Sequence, residues 1–391
     1  MKENKTKPDI RFKGFTEAWE QRKLIDLCDY VDYRGKTPNK SDSGIFLVTA
    51  KNVKDGYIDY DVSKEYIPED KYEEVMRRGK PKIGDVLITT EAPCGNVAQV
   101  NKPNIALAQR IIKYRGHNQV IDNTYLKYYL LSPFFQNILN MKSSGGTVQG
   151  IKGSVLHQQK ISFTKYTEQL KIGQCLDSLD SLITLHQREC DQLKELKKSM
   201  LKKMFPRDES SIPEVRFAGF TDAWEQRKLR DEAIEILAGG DIDKEKTVEN
   251  GKYPIYANAL TNDGIVGYYD DYYRVTAPAV TVTGRGEVGY AKARMTHFTP
   301  VVRLLAVCSN HDCYFLENAI NNHKVVVEST GVPQLTVPQL SSYNIFFPAN
   351  DKEEVRIGKY FHTLDNLITL HQRELEILKN LKKTCLKRMF I

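Results

Sequence analysis

The sequence predicts a mixed α/β (α+β) chain made of two similar units, each carrying a long helix, and three observations lead there. A stretch from Leu179 to Phe205 is written twice: Leu179-Asp180-Ser181-Leu182-Ile183-Thr184-Leu185-His186-Gln187-Arg188-Glu189 returns as Leu364-Asp365-Asn366-Leu367-Ile368-Thr369-Leu370-His371-Gln372-Arg373-Glu374, at a constant offset (364 − 179 = 185) that holds to the closing phenylalanines (390 − 205 = 185). A second repeat precedes each copy: Arg11 to Leu24 recurs as Arg216 to Leu229, sharing the Phe-x-Gly-Phe-Thr-x-Ala-Trp-Glu-Gln-Arg-Lys-Leu frame, at an offset of 216 − 11 = 205. Between the repeats lie bodies of short apolar runs bounded by turn residues, the pattern of strands in a mixed fold. The two offsets differ by 20, so the first body is the longer.

Taken in order, each unit opens on its Trp-bearing motif. The first body then offers strands at Ile45 to Ala50, Val86 to Thr90, Ile111 to Tyr114 and Ile161 to Phe163. The first copy of the long repeat is a helix by periodicity. Ile172, Leu176, Leu179, Ile183, His186, Cys190, Leu193, Lys197, Met200 and Met204 step by +4 and +3 in alternation, which is heptad spacing and implies a left-handed coiled coil. Pro206 closes that helix. Phe205 to Glu214, with Pro206 and Pro213, reads as a linker. The second body offers strands at Ala279 to Thr283, Val301 to Val307 and Ile345 to Phe347. The second helix repeats the stripe as Ile357, Phe361, Leu364, Ile368, His371, Leu375, Leu378, Lys382, Cys385 and Met389. Two such stripes in one chain most simply pack on each other as an internal pseudo-symmetric pair. His186 and His371 then fall at equivalent seam positions, with Leu179, Ile183, Leu193, Leu364, Ile368 and Leu378. There they read as polar pins of register in preference to metal ligands. The bodies share a strand, a Gly turn and a second strand (Asp85 to Val100; Pro278 to Arg294), as divergent copies of one domain would.

Composition narrows the function. A chain of 391 residues, 41% hydrophobic, holds two or three domains, and its net charge of +7 favours a polyanionic partner. Seven scattered cysteines without a CxxC pair read as reduced thiols of a cytoplasmic protein. No apolar run reaches the ~18 residues of a membrane span.

Motifs of catalysis are sparse. Gly284 to Gly289 spells G-x-G-x-x-G, but the stretch from Tyr290 to Thr299 lacks helical spacing, and no acidic residue stands about 20 positions on to meet a ribose. A tight turn that admits close backbone approach is therefore the better reading. Cys308, His311 and Cys313 could be a corner of a zinc site but have no evident fourth ligand, and no metal is expected. No G-x-S-x-G elbow, Walker loop or H-E-x-x-H helix is present, and Ser132-Pro133-Phe134-Phe135 lacks the Asn and second Pro of an amine-methylating tetrad. The bodies instead carry basic and amide side chains beside glycines and aromatics: Arg34, Lys36, Lys51, Asn52, Asn96, Gln109, Arg110, Gln149 and Lys152 in the first, and Asn258, Arg285, Lys292, Arg294 and Gln334 in the second. Arg and Lys suit guanine edges and phosphates, Asn and Gln suit adenine edges, and Gly lets backbone approach a groove.

With these motifs in place, the chain resembles the DNA-specificity subunits of type I restriction-modification systems. The resemblance rests on the duplicated opening motif and helix, on Lys160 to Gly173 and Asn344 to Gly358 at the body ends, and on Arg34-Gly35-Lys36-Thr37-Pro38, Gly44 to Gly56, Gly251 to Ala259 and Thr281 to Gly289 within the bodies. It implies two target-recognition domains of similar fold in inverted orientation, separated by an antiparallel pair of long coiled-coil helices with an internal pseudo-twofold. The segments become an opening motif at 1–24, recognition domain 1 at 25–165, a central helix at 166–205, a linker with the second opening motif at 206–229, recognition domain 2 at 230–350 and a C-terminal helix at 351–391. The resemblance also implies that the chain is non-catalytic, with each domain reading one half of a bipartite target in double-stranded DNA. Two modification subunits and the restriction subunits would be its partners, and would hold the S-adenosylmethionine, ATP and Mg that this chain does not bind. One departure stands out: the family's proline before the helix is Pro348 in the second unit, where the first has Thr164-Lys165-Tyr166 and an expected helix start at Glu168. A coiled-coil scaffold that binds protein partners and no DNA is the alternative from another class.

Overall fold

The computed structural model describes residues 6–33, 38–145, 149–207, 210–259, 261–324 and 333–391. The chain divides into two compact units, unit 1 comprising Met1–His186 with Glu374–Ile391 and unit 2 comprising Gln187–Arg373. Unit 1 runs β1 (Glu20–Lys23), α1 (Leu24–Leu27), β2 (Cys28–Asp32), β3 (Ile45–Val48), β4 (Tyr66–Ile67), α2 (Tyr72–Val75), β5 (Val86–Thr90), β6 (Cys94–Gln99), β7 (Ala106–Leu107), β8 (Ile111–Gly116), α3 (Asn123–Leu131), α4 (Pro133–Lys142), α5 (Gly153–His157) and β9 (Lys160–Phe163) into the long α6 (Tyr166–Lys203). Unit 2 repeats the plan with β10 (Glu225–Lys228), α7 (Leu229–Glu232), β11 (Ala233–Ala238), β12 (Tyr253–Tyr256), β13 (Ile265–Tyr269), β14 (Ala279–Thr283), β15 (Ala291–Arg294), β16 (Thr299–Pro300), β17 (Leu304–Ser309), α8 (Cys313–Asn322), α9 (Val337–Ser341) and β18 (Asn344–Phe347), ahead of the long α10 (Asp351–Arg388).

Each unit holds the same three sheets. In unit 1 they are β1-β9, β2-β8-β5-β6 and β4-β3-β7; in unit 2 they are β10-β18, β11-β17-β14-β15 and β13-β12-β16. The four-stranded sheets are antiparallel throughout, and each three-stranded sheet contains one parallel pair, β3 with β7 and β12 with β16. β5 and β14 are inner strands of their sheets and are buried along their whole length.

The repeated opening motif folds back on the start of a long helix in both units. Arg11 forms a fork on Glu168, Nε and Nη2 each 2.7 Å from a carboxylate oxygen, and Arg216 does the same to Glu353 at 2.6 and 2.8 Å. Both carboxylates are fully buried in the first turn of a helix, where the macrodipole also favours negative charge. Trp19 stands edge-on to Tyr125 and Phe390 within unit 1, as Trp224 does to Phe315 and Phe205 within unit 2.

Two of the expected strands lose residues at one end. The run expected at Val301 to Val307 is broken by a turn at Val302 and Arg303, leaving Val301 as a lone bridge to Gly240 and a strand from Leu304 to Ser309. The run at Ile45 to Ala50 ends at Val48, where Thr49 enters a loop held by Asn52. Helices α3 and α8, which periodicity did not single out, start on matched N-caps, Asp122 accepting from Tyr125 N and Asp312 from Phe315 N. The missing proline in unit 1 changes nothing at the helix: α6 and α10 begin and end at the same offset (351 − 166 = 185; 388 − 203 = 185). The expected start at Glu168 therefore moves two residues earlier, to Tyr166.

Every residue of both heptad stripes is buried or half-buried. By contrast, Leu182, Leu185, Leu367, Leu370 and Ile377, off the stripe on the same helices, are exposed. Within unit 1, Lys382 pairs with Asp180 and His186 Nδ1 lies 3.3 Å from Glu374. Within unit 2, Lys197 pairs with Asp365 at 2.6 Å and His371 Nδ1 lies 3.4 Å from Glu189. Among the described residues, no helix is long and apolar enough to cross a membrane.

Candidate nucleic-acid interface

A matched corner of each unit brings distant parts of its body together. In unit 1 the end of β5 is the meeting point: Thr90 N donates to Arg110 O, Ile151 N donates to Thr90 O, and Glu91 bridges Gly150. Three stretches some 20 and 60 residues apart in sequence thus converge, placing Arg110, Gln149 and Lys152 together, all exposed. In unit 2 the end of β14 does the same: Gly284 N donates to Arg303 O, Leu335 N donates to Gly284 O, and Arg285 bridges Gln334. The pairing of Thr89 with Ile111 and of Thr283 with Leu304 fixes the correspondence, so that Arg110 matches Arg303, Glu91 matches Arg285 and Gly150 matches Gln334.

Close backbone approach explains the glycine at this corner. A Cβ on Gly284 would lie 2.2 Å from the carbonyl oxygen of Arg303 and 2.9 Å from that of Leu335. Gly286 and Gly289 adopt φ of +75° and +86°, and the chain continues into strand β15. The G-x-G-x-x-G string is accordingly a turn between strands, with no helix N-terminus behind it to receive a pyrophosphate.

The remaining candidates divide by what their side chains already hold. Asn52 is fully buried, accepting from Thr49 N and Oγ1 and donating to the carbonyls of Asp59 and Val62, so its amide shapes its own loop. Arg294 is 7% exposed and lies over the Tyr256 ring, bonded to Thr281 Oγ1, Asp263 Oδ2 and Asp263 O. Lys292 pairs with the same Asp263. Asn258 donates to Val302 O and accepts from Gly284 N, and so supports the corner from beneath. Asn96 is half-buried and donates to Val53 O. Gln109 is half-buried beside Arg110, while Lys51, Arg285 and Gln334 are exposed. Arg34 and Lys36 lie outside the described residues. Sequence reasoning passed over Arg303 because it placed that residue inside a strand; the signal that finds it is an arginine directly before two apolar residues at a strand start, Arg110-Ile111-Ile112 and Arg303-Leu304-Leu305.

The Cys308, His311, Cys313 string is pulled apart by the fold. His311 Nδ1 lies 2.9 Å from Glu354 and Nε2 lies 2.8 Å from Glu232, while Cys313 points its thiol at the carbonyl of Ala279. Carboxylates only accept, so both ring nitrogens must donate and the imidazole is cationic. Burial alone would lower its pKa, but hydrogen bonds and charge from Glu354 and Glu232 outweigh this and raise it. The Ser132-Pro133 string is a helix start, Ser132 capping α4 with Pro133 in its first turn.

Comparison with known proteins decides the family. The profile of the type I restriction modification DNA specificity domain matches residues 16–195 and again 221–380. The chain belongs to this family. The two matches cover both bodies and most of both long helices, in step with the duplicated plan of the fold. A Mycoplasma pneumoniae protein named as a type I specificity subunit is 27% identical over 350 residues, 85% of each chain. A Methanocaldococcus jannaschii protein named as the MjaX specificity subunit is 24% identical over 400 residues, 94% of this chain and 91% of that one. The crystal structure of a type I restriction-modification S subunit from M. genitalium shares the fold, with a TM-score of 0.71 at 15% identity over 98% of this chain and 99% of that one.

Proposed function

We propose that each unit of this specificity-family chain reads one half of a bipartite sequence in double-stranded DNA, through loops gathered at the end of its β5 or β14 strand. One observation carries this reading. The frameworks of the two units share matched contacts, from Arg11–Glu168 and Arg216–Glu353 to the N-caps of α3 and α8, whereas the corners diverge, Glu91 standing where Arg285 stands. A shared scaffold with altered loops is what two readers of different sequences require, since base edges are told apart by side-chain donors and acceptors.

Helices α6 and α10 form an antiparallel coiled-coil pair in this reading, with an internal pseudo-twofold. His186 and His371 are its register pins. Each helix is 38 residues, about 57 Å at 1.5 Å per residue, enough to set a spacing of about one DNA turn, ~34 to 36 Å, between half-sites. Two modification subunits dock on the helix region, restriction subunits join for cleavage, and these partners bring S-adenosylmethionine, ATP and Mg. The chain performs no catalysis itself and works in the cytoplasm.

The test is an exchange of residues 25–165 for the corresponding body of another family member, with methylated adenines then mapped in a host that carries the partner subunits. One half of the recognised sequence should change while the other half stays. If both halves change together, the division of labour between units is wrong. Inserting four residues near Leu193 and near Leu378 should lengthen the spacer and leave both half-sites intact; an unaltered spacer would remove the ruler from this account.

A further inference from the structure

We infer that Arg303 is a DNA-contacting, specificity-determining residue of unit 2, its guanidinium engaging a side-by-side pair of acceptors of the kind offered by O6 and N7 of guanine. The inference rests on the reading above and adds to it a residue that the candidate set drawn from the sequence does not contain.

The backbone is the first ground. Arg303 has φ +72°, and its counterpart Arg110 has φ +73°. A side chain in this left-handed region is strained, and glycine or asparagine is the usual occupant. Two units whose loops have otherwise diverged both place arginine there, at the residue before β8 and before β17. The fold needs only the carbonyl of that residue, which accepts from Thr90 N in one unit and from Gly284 N in the other, and any residue type supplies a carbonyl. The strain is therefore unexplained by the scaffold and is of the sort that accumulates at functional positions.

Charge is the second ground. In unit 1 an acid answers the arginine: Arg110 Nε lies 3.6 Å from Glu91. In unit 2 the residue matched to Glu91 is Arg285, so the corner presents two cations where unit 1 presents an ion pair. Among the described residues no carboxylate pairs with either Arg285 or Arg303, and Arg303 Nη1 is shielded from solvent without a hydrogen-bond partner. A shielded guanidinium nitrogen lacking an acceptor is destabilising, and a ligand acceptor removes that penalty.

The third ground is access. Exposed Arg285 and Gln334 flank the same strand end, joined by a bridge, while Asn258 fixes the turn below by bonds to Val302 O and Gly284 N. A fork of five donors beside a strand start matches paired acceptors bidentately, which a lysine cannot do. DNA offers such pairs as a guanine edge and as phosphate oxygens, and the arms of the test separate these.

The experiment uses the full chain with its modification partners. Glycine relaxes the left-handed backbone, so Arg303→Gly removes the side chain without adding strain; an unchanged pattern of methylation in the half-site read by unit 1 certifies the fold. Arg303→Lys keeps the charge and removes the fork. The expected result is that Arg303→Gly and Arg303→Lys each make one base position of the unit 2 half-site degenerate, with tenfold or greater loss of preference for guanine there. If the half-site is unchanged, but Arg303→Gly weakens DNA binding equally across sequences, lowers the salt slope by about one, and Arg303→Lys restores both, the contact stands and its acceptor is a phosphate. If neither the half-site nor the salt slope changes, Arg303 does not touch DNA. That outcome leaves the division of half-sites between units intact, because the body exchange tests it separately.

Discussion

The two units share a framework, and three of the places where they differ show how much one plan tolerates. At the start of each long helix, unit 2 holds an ionised triad of Glu232, His311 and Glu354, joined by Arg227, where the matched residues of unit 1 are Leu27, Ile121 and Gln169. Leu27 and Ile121 are buried and apolar, and Gln169 does with amide bonds to Asp122 N, Val120 O and Thr164 O what Glu354 does with charge. In the core beside each tryptophan, Tyr129 of unit 1 packs on Phe390 and Phe135 and bonds its hydroxyl to Ser162 N and Ile391 O. The matched residue in unit 2 is Ala319, which lines a solvent-open pocket of about 570 Å³ with Phe205, Arg207, Asn322, His323 and Phe346. At the corner, Glu91 stands in the place of Arg285. The first two differences bear on stability; the third lies at the surface, at the corner proposed to meet DNA.

The largest expected effect tests the common framework. Arg11→Ala and Arg216→Ala each leave a buried carboxylate without its partner, and each should destabilise its unit by about 3–5 kcal/mol in thermal or urea melts. Arg216→Ala should be the costlier, since the Thr164 hydroxyl still donates to Glu168 while Glu353 has no such neighbour among the described residues. A negligible effect in one unit would mean that the two opening motifs do different work.

Next comes the core. Tyr129→Ala should cost unit 1 about 3–5 kcal/mol and leave a cavity there, where unit 2 has its pocket. Ala319→Tyr should leave unit 2 unchanged or more stable, because the space exists and Phe346 N stands where Ser162 N stands. Strong destabilisation by Ala319→Tyr would show that the two cores are not superimposable at this residue.

The smallest effect is one of pH. The raised pKa of His311 means that its contribution to folding is complete below about 6.5 and is lost as pH rises through the higher folded value. Glu317 acts in the same direction: burial pushes its carboxyl up to about 7, helped by Asp365 and opposed by a hydrogen bond from Ala293, so a cost accrues as pH rises from 4.5 to 7. Unit 2 should accordingly lose on the order of 1 kcal/mol between pH 5 and pH 8, measured by hydrogen exchange in α8, while α3 of unit 1 stays level. Replacing Glu232, His311 and Glu354 together by Leu, Ile and Gln should remove the His311 part of this dependence and leave the Glu317 part. A dependence equally steep in the triple variant would locate its origin elsewhere.

The sequence determined the repeats, the long helices to within three residues, both heptad stripes and the inner strands β5 and β14, because each is written as local periodicity or as a second copy. It also supplied most residues of the two corners, Arg110, Gln149, Lys152, Arg285 and Gln334, through their chemistry and their place in Gly-bearing loops. Only the tertiary structure decided which of the candidates face outward. Asn52 and Arg294 look like base readers in one dimension, yet in three dimensions they spend their donors on Asp59, Val62, Thr281 and Asp263. Only the tertiary structure, too, matched Arg303 to Arg110 and enclosed His311 between two carboxylates. The physical reason is common to these cases. A side chain's availability depends on which acceptors the fold brings within about 3 Å of it, and those acceptors come from segments tens of residues away that no local pattern announces.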